Sequence, residues 1–231
     1  MNNLLDIQIA SVTALTSERA VVVMRAILRS ECGYAKLSPT VLTISSRLTI
    51  ADGGIDAEIN APHGPMFPPD CIFQPGLTGF QIKSGTTFKP WTPSAIRGEL
   101  LDSKGQLCSE VERLIRRRGR YTLFCTGHDL TPEQRNDSRC QIATVLAEMG
   151  FGEYEELIEV LGASQIAEFA ERYPGTASLL AVDAIQEAWV LDEWRRDAHM
   201  ANAFEASPEQ SQMIAHIREP KGDVLDIFSF R

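Results

Sequence analysis

Residues 49–85 read TIADGGIDAEIN, then APHGPMFPPDCIFQPGLTG, then FQIKSG, and the two ends of this stretch decide the fold. Side chains alternate faces along a strand. In Ile55-Asp56-Ala57-Glu58-Ile59 the three apolar residues share one face, with Asp56 and Glu58 opposite. In Phe80-Gln81-Ile82-Lys83 the same rule separates Phe80 and Ile82 from Gln81 and Lys83. If the two strands are neighbours over one core, Asp56, Glu58, Gln81 and Lys83 converge on a single patch. The competing reading is a surface strand pair with ordinary polar outward faces.

Two carboxylates, an amide oxygen and an ammonium are what a hard divalent cation and a scissile phosphate require. Hydrolysis of a phosphodiester by in-line attack of water builds charge on the nonbridging and leaving oxygens, which a carboxylate-bound cation stabilises. Asp56 is the expected indispensable ligand, Gln81 adds a neutral amide oxygen, and the Ile82 backbone carbonyl adds another. Glu58 is an alternative ligand or an outer partner, and Lys83 positions the attacking water and stabilises charge. Oxygen ligands favour Mg2+, with Mn2+ able to substitute.

Outward from this stretch, Thr16 or Ser17 caps a helix predicted to reach Cys32, with Glu18 in its first turn. Ala20, Met24, Ile27 and Glu31 fall on one stripe of it. Glu31 is therefore either a partly exposed terminal glutamate or a further carboxylate reaching the metal. Val41–Ser45 and Leu48–Ile50 read as a first strand with a break, and Asp52-Gly53-Gly54 as the turn into the Asp56 strand. Residues 61–79 hold five of the 12 prolines and form a loop long enough to suggest a functional role. His63 within it is expected at the surface. A helix starts near Ser94, is interrupted at Gly105 and resumes to about Arg118. Arg113, Arg116 and Arg117 on it, together with Lys89, are candidates for DNA-phosphate contact, the alternative being a solvated face. Tyr121–Cys125 reads as an interior parallel strand. A helix follows from Pro132 to before Gly150, then a strand at Leu157–Leu161. The helix Ser164–Tyr173 comes next, stopped by Pro174-Gly175. His128-Asp129 is expected at the surface. Leu179–His216 is mostly helical, and Asp223–Phe230 resembles the opening of a strand.

Composition sets the outer limits. At 231 residues with 44% apolar and 23% charged residues, a folded protein with one core and an extension is expected. No apolar run approaches the length of a membrane span, and the first residues lack a secretory pattern, so no membrane partner and a cytoplasmic location are expected. Five cysteines without a CxxC pair point to reduced thiols and away from zinc. The net charge of −9 is unevenly spread: residues 1–130 carry 14 Lys/Arg against 12 Asp/Glu, and the rest 8 against 19. The acidity belongs to the C-terminal part, away from the candidate site.

DGGIDAEI followed by FQIKSG resembles the PD-(D/E)XK nuclease superfamily, in the Mrr-like variant with glutamine in place of glutamate. GRYTLFCTGHDLTPEQRNDSR and LGASQIAEFAERYPG resemble more narrowly the N-terminal effector nuclease of bacterial antiphage STAND ATPases. The resemblance implies an α/β, restriction-endonuclease-like αβββαβ core with a central mixed sheet flanked by helices. It gives catalytic roles to Asp56, Gln81 and Lys83, and matches Glu31 only loosely to the family's helical acid. It further implies magnesium-dependent cutting of double-stranded DNA, and self-association through dimers or higher oligomers driven by an ATPase and sensor region. No GxxxxGK[ST] loop lies in this chain. The expected organisation is a nuclease domain over 1–178 and a helical extension over 179–231 leading to an ATPase domain outside the chain. The reading from a different class is a DNA-binding or assembly module that keeps the nuclease fold without catalysis.

Overall fold

The computed structural model describes residues 7–44, 53–62 and 67–180. Its sheet has five strands: β1 (Leu42–Ile44), β2 (Ala57–Ala61), β3 (Gly76–Lys83), β4 (Arg120–Cys125) and β5 (Ile158–Leu161), lying side by side in that order. β1, β2 and β3 pair antiparallel, whereas β4 is parallel to both β3 and β5. A parallel step needs a crossover. Between β3 and β4 it is made by α3 (Pro93–Leu100) and α4 (Ser109–Arg116), and between β4 and β5 by α5 (Pro132–Glu148). The sheet is therefore mixed and flanked by helices, as the α/β reading expects.

Each face of the sheet has its own core. α2 (Ser17–Tyr34) covers one, with Val23, Met24, Ile27 and Leu28 packed on Ala57, Ile59, Phe80 and Phe124. The rings of Phe80 and Phe124 meet edge to face at 6.0 Å between centroids. α1 (Ile9–Thr13), α6 (Ala163–Glu171) and α7 (Pro174–Leu180) extend this layer. The other face carries α3, α4 and α5 over Tyr121, Leu123, Cys125, Ile158 and Val160. The alternation of β4 is thus complete: Tyr121, Leu123 and Cys125 go to one core and Phe124 to the other.

Local chemistry fixes the ends. The Thr16 hydroxyl accepts from the Arg19 N–H at 3.3 Å and caps α2. Thr131 and Gln134 cap each other's backbone at the start of α5, where Pro132 occupies the first turn. Gly53 and Gly54 take φ of +74° and +89° in the turn before β2, a region glycine enters without steric cost.

Several elements differ from the sequence reading. The interruption expected at Gly105 is wider than one residue: α3 ends at Leu100, α4 starts at Ser109, and Leu101 and Leu107 bridge the turn between them. Pro174 stops α6 but also opens α7, because proline suits a first helical turn. Ile55 does not share the face of Ala57 and Ile59: the strand starts at Ala57, and Ile55 packs with the α3–α4 core. Leu48–Ile50, His63, the helical pattern beyond Leu180 and the Asp223–Phe230 segment lie outside the described residues. Among the described residues no helix is long and apolar enough to cross a membrane.

Candidate active site

The site forms where β2 begins and β3 ends. Ala57 stands opposite Phe80 in the antiparallel ladder, which brings Asp56 alongside Gln81 and Ile82. The Asp56 N–H donates to the Phe80 carbonyl at 2.8 Å, and Asp56 Oδ2 accepts from the Ile82 N–H at 2.7 Å. The carboxylate holds the position that a backbone carbonyl would otherwise take at the end of the ladder. N–H and C=O of one strand residue leave on the same edge, so the Ile82 carbonyl is directed to the Asp56 side as well.

On the neighbouring face, Gln81 is only 3% exposed. Its Nε2 donates to Glu99 Oε2 at 3.1 Å, and its Oε1 accepts from the Tyr121 hydroxyl. The Lys83 ammonium pairs with the same Glu99 oxygen, both side chains remaining about a quarter exposed (27% and 24%). Burial first, and then the charges of Glu99, Asp56 and Cys108, push the Tyr121 hydroxyl well above its ordinary range. It stays a hydrogen-bond donor, and both carboxylates act on this one group. Gln81 and Lys83 are therefore joined through Glu99, Tyr121 joins through Gln81, and Asp56 is held beside them on the Ile82 backbone.

Neither joining residue was singled out from the sequence. Glu99 falls on the buried stripe of α3 beside Ile96 and Leu100, and a carboxylate at that spacing is the signal that could have found it. Tyr121 is the second residue of β4 and shares its inward face with Leu123, the partner of Gln81 in the ladder, and its polar tip needs a buried partner.

The loop behind Lys83 is clamped. Thr126 N–H donates to the Lys83 carbonyl at 2.9 Å. Gly127 lies so close to Gly85 that an added Cβ would be 2.0 Å from the Gly85 oxygen. On the other side, the Ser84 and Ser17 hydroxyls meet at 3.0 Å, tying the start of α2 to the end of β3.

Other candidates are placed elsewhere. Glu31 is fully buried; Oε2 accepts from the Ile72 N–H at 2.7 Å and Oε1 from the Tyr173 hydroxyl at 2.6 Å, with Arg172 at 3.9 Å. It clasps the long loop and the α6–α7 turn to α2, and the structure does not bring it to Asp56. The reason is helix length: Glu31 lies 14 residues, about 21 Å of rise, beyond Ser17 at the Ser84 end. Glu58 is held by Arg113, which also binds Glu110 at 2.7 Å. These partners, Glu58 foremost, raise the Arg113 pKa further. Arg116 pairs with Glu112 and lies over the Phe151 ring at 5.4 Å. Arg117 at the end of α4 and Lys89 in the loop before α3 are exposed.

Asp56, Glu99, Gln81 and the Ile82 carbonyl all offer oxygen, the donor chemistry that suits magnesium. Among the described residues no three His, Cys, Asp or Glu side chains are grouped to hold a metal. Two carboxylates with neutral oxygens fit an ion that keeps several of its waters. Compared with known proteins, the chain matches no family model, no curated protein and no solved structure.

Proposed function

We propose that the chain is a metal-dependent endonuclease that hydrolyses phosphodiester bonds of double-stranded DNA on a restriction-endonuclease-like core. One observation supports the reading: where β2 begins and β3 ends, Asp56 holds the Ile82 backbone N–H between Gln81 and Lys83, and those two side chains share Glu99. The element order supports it, since a helix, three antiparallel strands, a helical crossover and a parallel strand follow one another as in the αβββαβ core. A cytoplasmic antiphage effector that works as a dimer or higher oligomer, switched by an ATPase and sensor region, belongs to the same proposal.

Asp56, Glu99, Gln81 and the Ile82 carbonyl would hold Mg2+ or Mn2+. When bound, the cation supplies Lewis-acid stabilisation of the phosphate and a more acidic water. The chain's own residues do the rest. Tyr121 and Glu99 fix the Gln81 amide, so its oxygen is presented in one orientation. Lys83, held by Glu99 and by the clamped loop behind it, offers its ammonium to the nonbridging oxygens as water forms a new P–O bond and the ester P–O bond breaks. The leaving oxygen takes a proton, so the products are a phosphate monoester and an alcohol.

The test is plasmid degradation by the wild type, Asp56→Ala, Lys83→Ala and Glu99→Gln in magnesium and in EDTA. The expected result is magnesium-dependent cutting by the wild type and a loss of about 100-fold or more in each variant. Equal cutting by all four removes this site from the account. Cutting by none, with duplex binding retained, favours the binding module.

A further inference from the structure

The arginines picked out by sequence are largely neutralised, Arg113 by Glu58 and Glu110 and Arg116 by Glu112. Two others are not. Arg25 and Arg29 stand one turn apart on α2, their Cβ atoms about 5–6 Å from each other. With Leu42 and Ile44 of the edge strand β1 they line a cleft of about 300 Å³. The Arg25 Nε is shielded from solvent with no hydrogen-bond acceptor, and neither guanidinium pairs with a carboxylate among the described residues. A guanidinium does not lose its proton, so a shielded N–H calls for an acceptor, and none of the described residues supplies it. Its planar fork fits phosphate oxygens two at a time. An apolar floor of Leu42 and Ile44 strengthens that attraction by lowering the local dielectric.

Place selects among anions. Ile44 pairs with Ala57, the residue that follows Asp56, so the cleft's strand wall ends beside the candidate site. α2 itself starts at that end, where Ser17 meets Ser84. We infer that the Arg25–Arg29 cleft binds the phosphodiester backbone of the nucleic acid cut at Asp56 and Lys83, holding two neighbouring phosphates of one strand. This rests on the nuclease reading and names a substrate-binding surface for it.

The test is fluorescence anisotropy of a labelled 20-base-pair duplex in EDTA, which prevents cutting, with the full chain as wild type, R25Q/R29Q and R25K/R29K. Neutralising the pair should weaken binding about 10-fold at low salt and flatten the plot of log K against log salt by about 1.8, roughly 0.9 for each phosphate released. The lysine pair should keep the wild-type slope while losing part of the affinity, because point charges replace forks. It also serves as the control for folding. If the wild type binds and R25Q/R29Q binds with equal affinity and slope, the cleft is not a DNA contact, and the nuclease reading stands unaffected. If the wild type neither binds duplex nor cuts plasmid, the reading and this inference fail together. Displacement of the duplex by millimolar inorganic phosphate at matched ionic strength would assign the cleft to a small anion and overturn the inference.

Discussion

Replacing Glu31 separates a structural carboxylate from a metal ligand. In the structure its two oxygens are the acceptors for the Ile72 N–H and the Tyr173 hydroxyl, in a spot with no exposure. Glu31→Ala leaves both donors without acceptors, and each buried unsatisfied group costs about 1–3 kcal/mol. The expected loss is about 4 kcal/mol, which in a domain of this size lowers Tm by about 8–16 °C. Glu31→Gln is milder for a definite reason. The amide oxygen can still accept from Ile72, and its NH2 can donate to the Tyr173 oxygen, since a phenol serves as donor or acceptor. Only the stronger acceptor is lost, at about 1 kcal/mol or about 2–4 °C. Thermal and urea unfolding measure the series, and plasmid cutting at 25 °C runs alongside. Glu31→Gln should cut like the wild type. The reasoning is refuted if Glu31→Ala melts within 1 °C of the wild type, or if a well-folded Glu31→Gln stops cutting.

Two further predictions concern packing and protonation. Gly127→Ala would place a Cβ 2.0 Å from the Gly85 oxygen, so the backbone behind Lys83 must move; thermal melting should show a drop of about 5 °C or more, with cutting reduced beyond what lost stability explains. Burial, ahead of any neighbouring charge, pushes the Cys32 thiol to about 11, the Cys71 and Cys125 thiols to about 12, and the Tyr154 hydroxyl to about 12. Folded values above the unfolded ones of 9.0 and 10.0 mean that the unfolded chain releases these protons first. The stability they contribute is therefore complete below pH 9 and is lost as pH rises towards 12. Urea midpoints should stay level up to pH 8.5 and fall above it; a level midpoint to pH 11 would contradict the burial of these groups.

The strand pair was legible because its signal is local. Alternation in FQIK separates Phe80 and Ile82 from Gln81 and Lys83, and the GGID turn places Asp56 at the start of the neighbouring strand, although Gln81 faces a second core and not solvent. YTLFC declared an interior strand through its short and mostly apolar run, and Pro132 marked the first turn of the helix that follows. What escaped the sequence depends on distance along the chain. Glu99 reaches Gln81 and Lys83 only because α3 folds back over β3, and no periodicity within α3 names its partner. Glu31 looked like a candidate ligand because its stripe was read correctly as inward. The identity of the groups waiting there, Ile72 and Tyr173, is set by a loop and a turn 41 and 142 residues away. The partners of the basic residues were hidden for a related reason: Arg113 pairs with Glu58 of β2 and Glu110, and Arg116 with Glu112, and only the first of these contacts crosses between elements.

The crossover between β3 and β4 links assembly to chemistry. Parallel pairing of these strands obliges the chain to travel back along the sheet, and residue 99 rides on that return journey. Shortening the return to tighten the protein would remove the acid that steadies Gln81 and Lys83, while lengthening it would leave that acid free to wander. Thermostabilising redesign of this domain should accordingly leave residues 84–119 at their native length and seek its gains among the surface positions of α5.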